Sequence, residues 1–170
     1  MADTFKADKM TEQEEKEQLM QLVGFTIGKE QFGVDILMVQ EIIRSAPITS
    51  VPNSPDFIEG VINLRGNIIP VIELRKRLNL FRKDTASKDA WILILDIDGR
   101  VTGFIVDSVT RVLKIMEGTI EPPPEVVVAG LANQYIRGVC DIGEGLLILL
   151  DFNRILLADE LKQLQAIDGE

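Results

Sequence analysis

Apolar residues in this chain gather into short runs broken by polar turns, and few of them recur at a helical period. From Gln21, "QLVGFTI", "GKEQ" and "FGVDI" read as strand, tight turn, strand. "LMVQEII" fits two patterns: Ile36, Val39 and Ile43 follow a loose helical period, while Val39, Glu41 and Ile43 alternate as in a strand. "SAPITSVPNSPDF" holds Pro47, Pro52 and Pro55 and predicts a loop. "VINLRGNIIPVI" predicts a hairpin, and "ELRKRLNLF" a short helix from Glu73 to about Leu80. A solvated linker, "RKDTASKD", precedes a second series of strands. "AWILILDI" turns at Asp98-Gly99-Arg100 into "VTGFIVDSV", and "EGTIEPPPE" is a rigid loop. "YIRGVCDI" and "LLILLDF" flank the hairpin signal Gly143-Glu144-Gly145. Residues 1–18 are expected to be a mobile tail, and 157–170 a C-terminal helix and tail.

The two series can be laid on one another. A shift of 70 residues pairs Gly33 with Gly103, Val39 with Val109, Ile42 with Val112 and Pro52 with Pro122. A shift of 78 then pairs Phe57 with Tyr135, Gly60 with Gly138, Val61 with Val139 and Leu74 with Phe152. Approximate repeats at 21–80 and 91–156 predict a mainly all-β protein built as two small barrels related by internal duplication. Gly33/Gly103 and Gly60/Gly138 fall inside strands, which predicts bulges or sharp bends at barrel corners. Pro70 cannot donate to a ladder, so its strand is expected to run at an edge or a bulge there.

Composition narrows the function. Of 170 residues, 46% are hydrophobic and only 5% aromatic, so the core is chiefly Ile, Leu and Val. Eighteen Lys plus Arg against 27 Asp plus Glu give a net charge of −9, which repels phosphate backbones and anionic lipid and argues against nucleic-acid binding. With no histidine and one cysteine, Cys140, neither an intramolecular disulfide, a Ser-His-Asp arrangement nor a His-based zinc site can form within the chain. Met1 to Glu17 lacks the apolar stretch of a signal peptide, and no apolar run reaches membrane-spanning length, so a cytoplasmic protein without membrane insertion is expected. Asp96, Asp98 and Asp107 could suggest a carboxylate hydrolase, but acidic residues beside Gly99 follow from turn chemistry alone. A small-ligand barrel would need converging polar groups, and the phosphate-cradling glycine patterns are missing.

The hairpin "VINLRG" raises its own question. Ile62 and Leu64 share one strand face, while Val61, Asn63 and Arg65 share the other. The second repeat has Val139, Asp141 and Gly143 at those places, so the scaffold does not need an arginine there. A dispensable charged residue at a loop edge is a candidate for binding.

Three blocks, "FGVDILMVQEII", "VPNSPDFIEGVINLRGNIIPVIELRKRL" and "GFIVDSVTRVL", closely resemble CheW, the coupling protein family of bacterial chemotaxis, over about Leu22 to Leu161. The resemblance implies two intertwined five-stranded SH3-like barrels within 19–161, around a shared core. It implies a non-catalytic, cofactor-free adaptor joining methyl-accepting chemoreceptors to the CheA histidine kinase, recruited to receptor arrays at the inner membrane. By motif position it implicates Val39, Glu41, Gly60, Asn63, Arg65, Ile92, Val109 and Val112 in receptor binding, in a groove between the subdomains. Asp35, Ile36 and Leu37, in the "DILMVQ" region, are the candidates for kinase binding. The alternative is a CheW-like ligand-binding or regulatory barrel in another signalling pathway.

Overall fold

The computed structural model describes residues 18–44, 46–78, 80, 90–123 and 135–156. Residues 1–17 of the expected 1–18 tail, the linker at 82–89 and the C-terminal helix and tail at 157–170 lie outside the described residues. Ten strands follow in chain order: β1 (Leu19–Ile27), β2 (Glu30–Asp35), β3 (Val39–Ile43), β4 (Ile58–Leu64), β5 (Asn67–Glu73), β6 (Trp91–Ile97), β7 (Arg100–Val106), β8 (Ser108–Met116), β9 (Ile136–Asp141) and β10 (Leu146–Leu150). Two single-turn helices, α1 (Leu74–Arg77) and α2 (Phe152–Ile155), follow β5 and β10. The ambiguous segment after β2 divides in two. Ile36–Met38 is one 3-10 turn, whose first free N–H groups are met by Asp35 as its Oδ1 accepts from Leu37 N at 2.9 Å, and β3 follows.

The strands form two five-stranded sheets, ordered β8-β1-β2-β10-β9 and β3-β6-β7-β5-β4. Under the duplication β1–β5 correspond to β6–β10, so the two orders are the same order. Each repeat lends its first hairpin to the sheet built by the last three strands of the other. The graft is a parallel ladder in both cases, Leu149↔Gly33 between β10 and β2 and Val71↔Gly103 between β5 and β7. Each sheet closes through a single bridge across its open edge, Thr49↔Val61 in the second barrel and Glu121↔Val139 in the first.

The four internal glycines divide into two kinds. Beside Gly60 and Gly138 the ladders slip by one residue, leaving Glu59 and Arg137 as bulges at equivalent positions. A Cβ on Gly60 would lie 2.2 Å from the Thr49 carbonyl oxygen, and one on Gly138 would lie 2.9 Å from that of Glu121, so these glycines admit the closing segment. Gly33 and Gly103 sit in unslipped ladders and are not corners. Their missing side chains make room for neighbouring-strand side chains, Leu147 across the parallel graft at Gly33 and Ile92 of the antiparallel β6 at Gly103. Pro70 is tolerated because the side of its strand that its nitrogen faces is unpaired there, a local edge. Both backbone groups of its partner Val61 bond Thr49, so Val61 and Pro70 form a non-hydrogen-bonded pair, and the Pro70 nitrogen faces the side of β7, where pairing starts one residue later at Val71.

Strand burial explains the unbroken apolar runs. In β6, Ile92 and Ile94 fill the second barrel, while Leu93, Leu95 and Ile97 face a larger cluster shared by both barrels. In β10, Leu147 and Leu149 fill the first barrel, and Ile148 and Leu150 face the shared cluster. A strand buried on both faces loses the alternation of a half-exposed one. The shared cluster also takes Phe25, stacked on Phe32 at 5.6 Å, and Phe104, edge-on to Phe152 at 5.0 Å.

Candidate docking site

Hairpin β4–β5 turns through two residues, Arg65 and Gly66, both with positive φ (54° and 89°). That backbone twist matches the flanking strands, and it normally selects Asn, Asp or Gly. The β6–β7 turn obeys the preference with Asp98-Gly99, at φ 51° and 86°. Both turns are braced alike: Asn63 Oδ1 accepts from Gly66 N and Asp96 Oδ1 from Gly99 N, each at 2.8 Å. The left-handed conformation that the turn requires is thus adopted by an arginine, a residue type the turn does not favour. Such local strain persists where the surroundings hold the residue in place, and it concentrates at functional positions.

What holds Arg65 is Glu41 of β3. The guanidinium meets the carboxylate through two bonds, Nη1 to Oε2 at 2.8 Å and Nη2 to Oε1 at 2.6 Å. The fork geometry fixes orientation as well as charge. This bond and the charge of Glu41 raise the guanidinium pKa above its ordinary value. The arginine side chain remains 73% exposed and the glutamate 27%. The pair therefore presents a positive rim over a partly sheltered carboxylate, between the edge strand β3 and the hairpin.

The remaining candidates separate by burial. Val39 and Val109, equivalent in the repeat, are half-buried against the shared cluster. Val112, on β8, is half-exposed and belongs to the other sheet from Arg65. Asn63 is exposed, with its carbonyl engaged by the turn. Ile92 is 4% exposed and packs inside the second barrel, so its side chain does not reach the surface. Gly60 is buried beneath the closing segment. Of the receptor candidates, only Glu41 and Arg65, with Asn63 bracing their turn, are linked side chain to side chain.

At the first barrel, Leu37 is 89% exposed while Ile36 is half-buried. Two cavities of about 360 and 300 Å³ open beside that segment and share Asp35 and Arg137 as lining residues. Arg137 is the bulged residue of β9, bonded to Glu117 at 3.2 Å. Sequence reasoning passed it over; its signal is the equivalence with Glu59, the other bulge, which carries the opposite charge. Asp107, weighed above as a catalytic carboxylate, is instead a brace. Its Oδ2 accepts from Arg75 Nη2 and from Gly28 N, both at 2.6 Å, where β7 of one sheet passes into β8 of the other.

The sequence model of the CheW-like domain matches residues 21–160. The chain belongs to the CheW-like domain family. It is 42% identical over 139 residues to the chemotaxis protein CheW of Klebsiella aerogenes, covering 81% of each chain. It is 35% identical over 147 residues to the chemotaxis protein CheW of Treponema pallidum, covering 85% of this chain and 86% of that one. The crystal structure of the scaffolding protein TtCheW from Thermoanaerobacter tengcongensis superposes with a TM-score of 0.75 at 36% identity, over 84% of this chain and 91% of that one. In this CheW-like chain the paired β-barrels are therefore the family architecture. Among the described residues, no helix is long and apolar enough to cross a membrane, and no group of three or more Cys, Asp or Glu is placed to hold a metal ion.

Proposed function

We propose that this chain is a non-catalytic adaptor of chemotaxis-type signalling, coupling the tips of methyl-accepting chemoreceptors to a CheA-type histidine kinase in the cytoplasm, at receptor arrays on the inner membrane. The observation that carries the reading is the Arg65–Glu41 fork on a turn whose left-handed backbone favours Asn, Asp or Gly over arginine. A helical receptor hairpin carries an apolar stripe bordered by charge. Val39, half-buried beside the fork in the same strand as Glu41, offers apolar contact, and Arg65 sets register. Val109 is the equivalent apolar position in the other barrel. The kinase is met by the Asp35–Leu37 segment, where the exposed Leu37 lines the cavity of about 360 Å³.

The test is reconstitution with receptor-bearing membranes and a CheA-type kinase. The intact chain is expected to co-sediment with both partners and to place kinase output under receptor control. Arg65→Ala is expected to weaken receptor coupling at least tenfold, with a melting temperature within a few degrees of the parent. Undiminished coupling in that variant overturns the site, and absence of coupling in the parent overturns the function.

A further inference from the structure

The chain changes sheet twice. Between β2 and β3 it does so through the turn at Ile36–Met38, and between β7 and β8 only Asp107 intervenes. The shift of 70 lays Leu37 on Asp107, so the two crossings are repeat equivalents. They are built differently. Leu37 projects into solvent, 89% exposed. Asp107 is held from three directions. Its N–H donates to Thr26 O of β1 at 2.9 Å, and its Oδ2 accepts from Gly28 N, in the turn after β1, and from Arg75 Nη2 of α1, both at 2.6 Å. Thr26 and Gly28 belong to the first barrel, and α1 follows β5 of the second. Arg75 is 7% exposed, the one buried charged residue among the described residues. A crossing can thus be made without charge, yet here a guanidinium leaves water to meet a carboxylate. Against apolar side chains of similar size a buried ion pair adds little stability. What the charge-assisted bonds at Asp107 impose is position.

What begins after Asp107 is β8. Directly paired strand residues share a face. Val109 pairs with Phe25 and Val112 with Val23, so both turn toward the shared cluster from the first barrel. Val39 pairs with Leu95 and Ile42 with Leu93, so both turn toward it from the second. Val112 and Ile42 keep solvent contact, at 51% and 37% exposure. The two crossings therefore deliver the strands, β3 and β8, that flank the shared cluster from opposite sheets. We infer that Asp107, locked by Arg75, is a positioning residue for receptor docking: it sets where β8, with Val109 and Val112, stands relative to β3, with Val39 and the Glu41–Arg65 fork. The inference rests on the receptor reading proposed above. A helical hairpin that touches both barrels binds more tightly when their spacing is fixed beforehand. The Asp35–Leu37 segment lies outside the reach of this brace. Asp35 pairs with Leu22, and Ser108 with Thr26 further along β1, a separation of roughly 13 Å at about 3.3 Å per residue.

The experiment measures the full chain's affinity for a soluble receptor-tip helical hairpin and, separately, for a CheA-type kinase. It also measures the distance between spin labels at Gln40→Cys on β3 and Lys114→Cys on β8, both exposed positions, while the native Cys140 is buried. Asp107→Leu installs the residue of the equivalent crossing. It is expected to weaken hairpin binding at least tenfold, to leave kinase affinity within twofold, and to broaden the label-to-label distances. Arg75→Met combined with Asp107→Leu leaves no uncompensated buried cation. This double variant is expected to melt within a few degrees of the parent and still to lose hairpin affinity tenfold, and it decides the matter should the single variant fail to fold. A double variant that binds the hairpin undiminished, loses both partners alike, keeps the parent's label distances or cannot fold overturns the inference and leaves the adaptor reading standing. A parent that binds no hairpin overturns the receptor reading as well.

Discussion

Arg77 donates two hydrogen bonds to the carbonyl of Ile155, from Nε at 3.1 Å and Nη2 at 3.0 Å, and Ile155 holds Arg77's own place in the second repeat. The guanidinium also lies over Phe57 at 4.7 Å and Tyr135 at 4.5 Å, a second repeat-equivalent pair. One side chain therefore clamps both halves where they meet. Around it the duplication is kept bond for bond: Glu73 N donates to Phe57 O and Asp151 N to Tyr135 O, each at 2.8 Å. Glu73 and Asp151 then cap α1 and α2.

That clamp can be tested with a conservative change. Lysine keeps the charge, yet it has no planar fork to stack between two rings while bonding one carbonyl. Arg77→Lys is expected to lower unfolding stability by about 1–3 kcal/mol, the cost of a charged hydrogen bond together with cation–π contact. Urea melts measure it, and an unchanged midpoint would show that the halves are held without Arg77.

The glycines allow a sharper comparison. A methyl group on Gly60 would strike backbone, the Thr49 carbonyl, which cannot swing aside. A methyl group on Gly66 meets nothing within 4 Å and carries only the strain of φ 89°. Gly60→Ala is expected to destabilise well beyond Gly66→Ala, which should cost about 1–2 kcal/mol for an alanine in the left-handed region. Equal losses from the two variants would mean that the closing segment does not depend on that approach.

Thr102 runs the other way. It is 1% exposed in β7, and its hydroxyl has no hydrogen-bond partner among the described residues. Valine has the same shape without the buried hydroxyl, so Thr102→Val is expected to raise stability by about 1 kcal/mol. A loss in thermal or urea unfolding would show that the hydroxyl finds a partner in solution.

The repeat was legible because duplication left glycines and aromatics at fixed offsets, and from it followed the strands, the barrels and their number. The exchange of hairpins was not legible from spacing, because a strand's sequence records its burial and not which neighbour it pairs with. Ile92 shows the same limit from the side of function. A strand buried on both faces carries no outward-facing set, so a motif position there cannot be separated from core by pattern. The Arg65 question was visible, as an arginine where the turn asks for Asn, Asp or Gly. Its partner was not, because Glu41 lies 24 residues earlier and reaches the turn only once the second sheet closes on itself.

Leu37 separates exposure from stability. Its side chain contributes almost nothing to the core, and surface changes away from caps and packing fall within about 0.5 kcal/mol. Leu37→Asp should therefore melt with the parent while losing at least tenfold in affinity for the kinase. A fall in melting temperature of more than a few degrees would place the leucine in packing, and unchanged kinase affinity would move the kinase-facing surface elsewhere.

The strain at Arg65 yields a test that opposes fold to function. Asparagine favours the left-handed conformation that residue 65 adopts, and its short side chain suits the turn that Asp98 already fills in the β6–β7 hairpin. Arg65→Asn removes the fork to Glu41, but that bond lies at the solvent-exposed rim, where an ion pair adds little to folding. The variant is therefore expected to melt at or above the parent's temperature while receptor coupling in reconstituted membranes falls at least tenfold. Alanine removes the same charge without the conformational gain and should lose coupling to the same degree, with a slightly lower midpoint. Stability and coupling falling together in both variants would make the arginine a structural residue. Opposite movement in Arg65→Asn would show that this turn has kept a side chain the fold disfavours because the docking partner requires it.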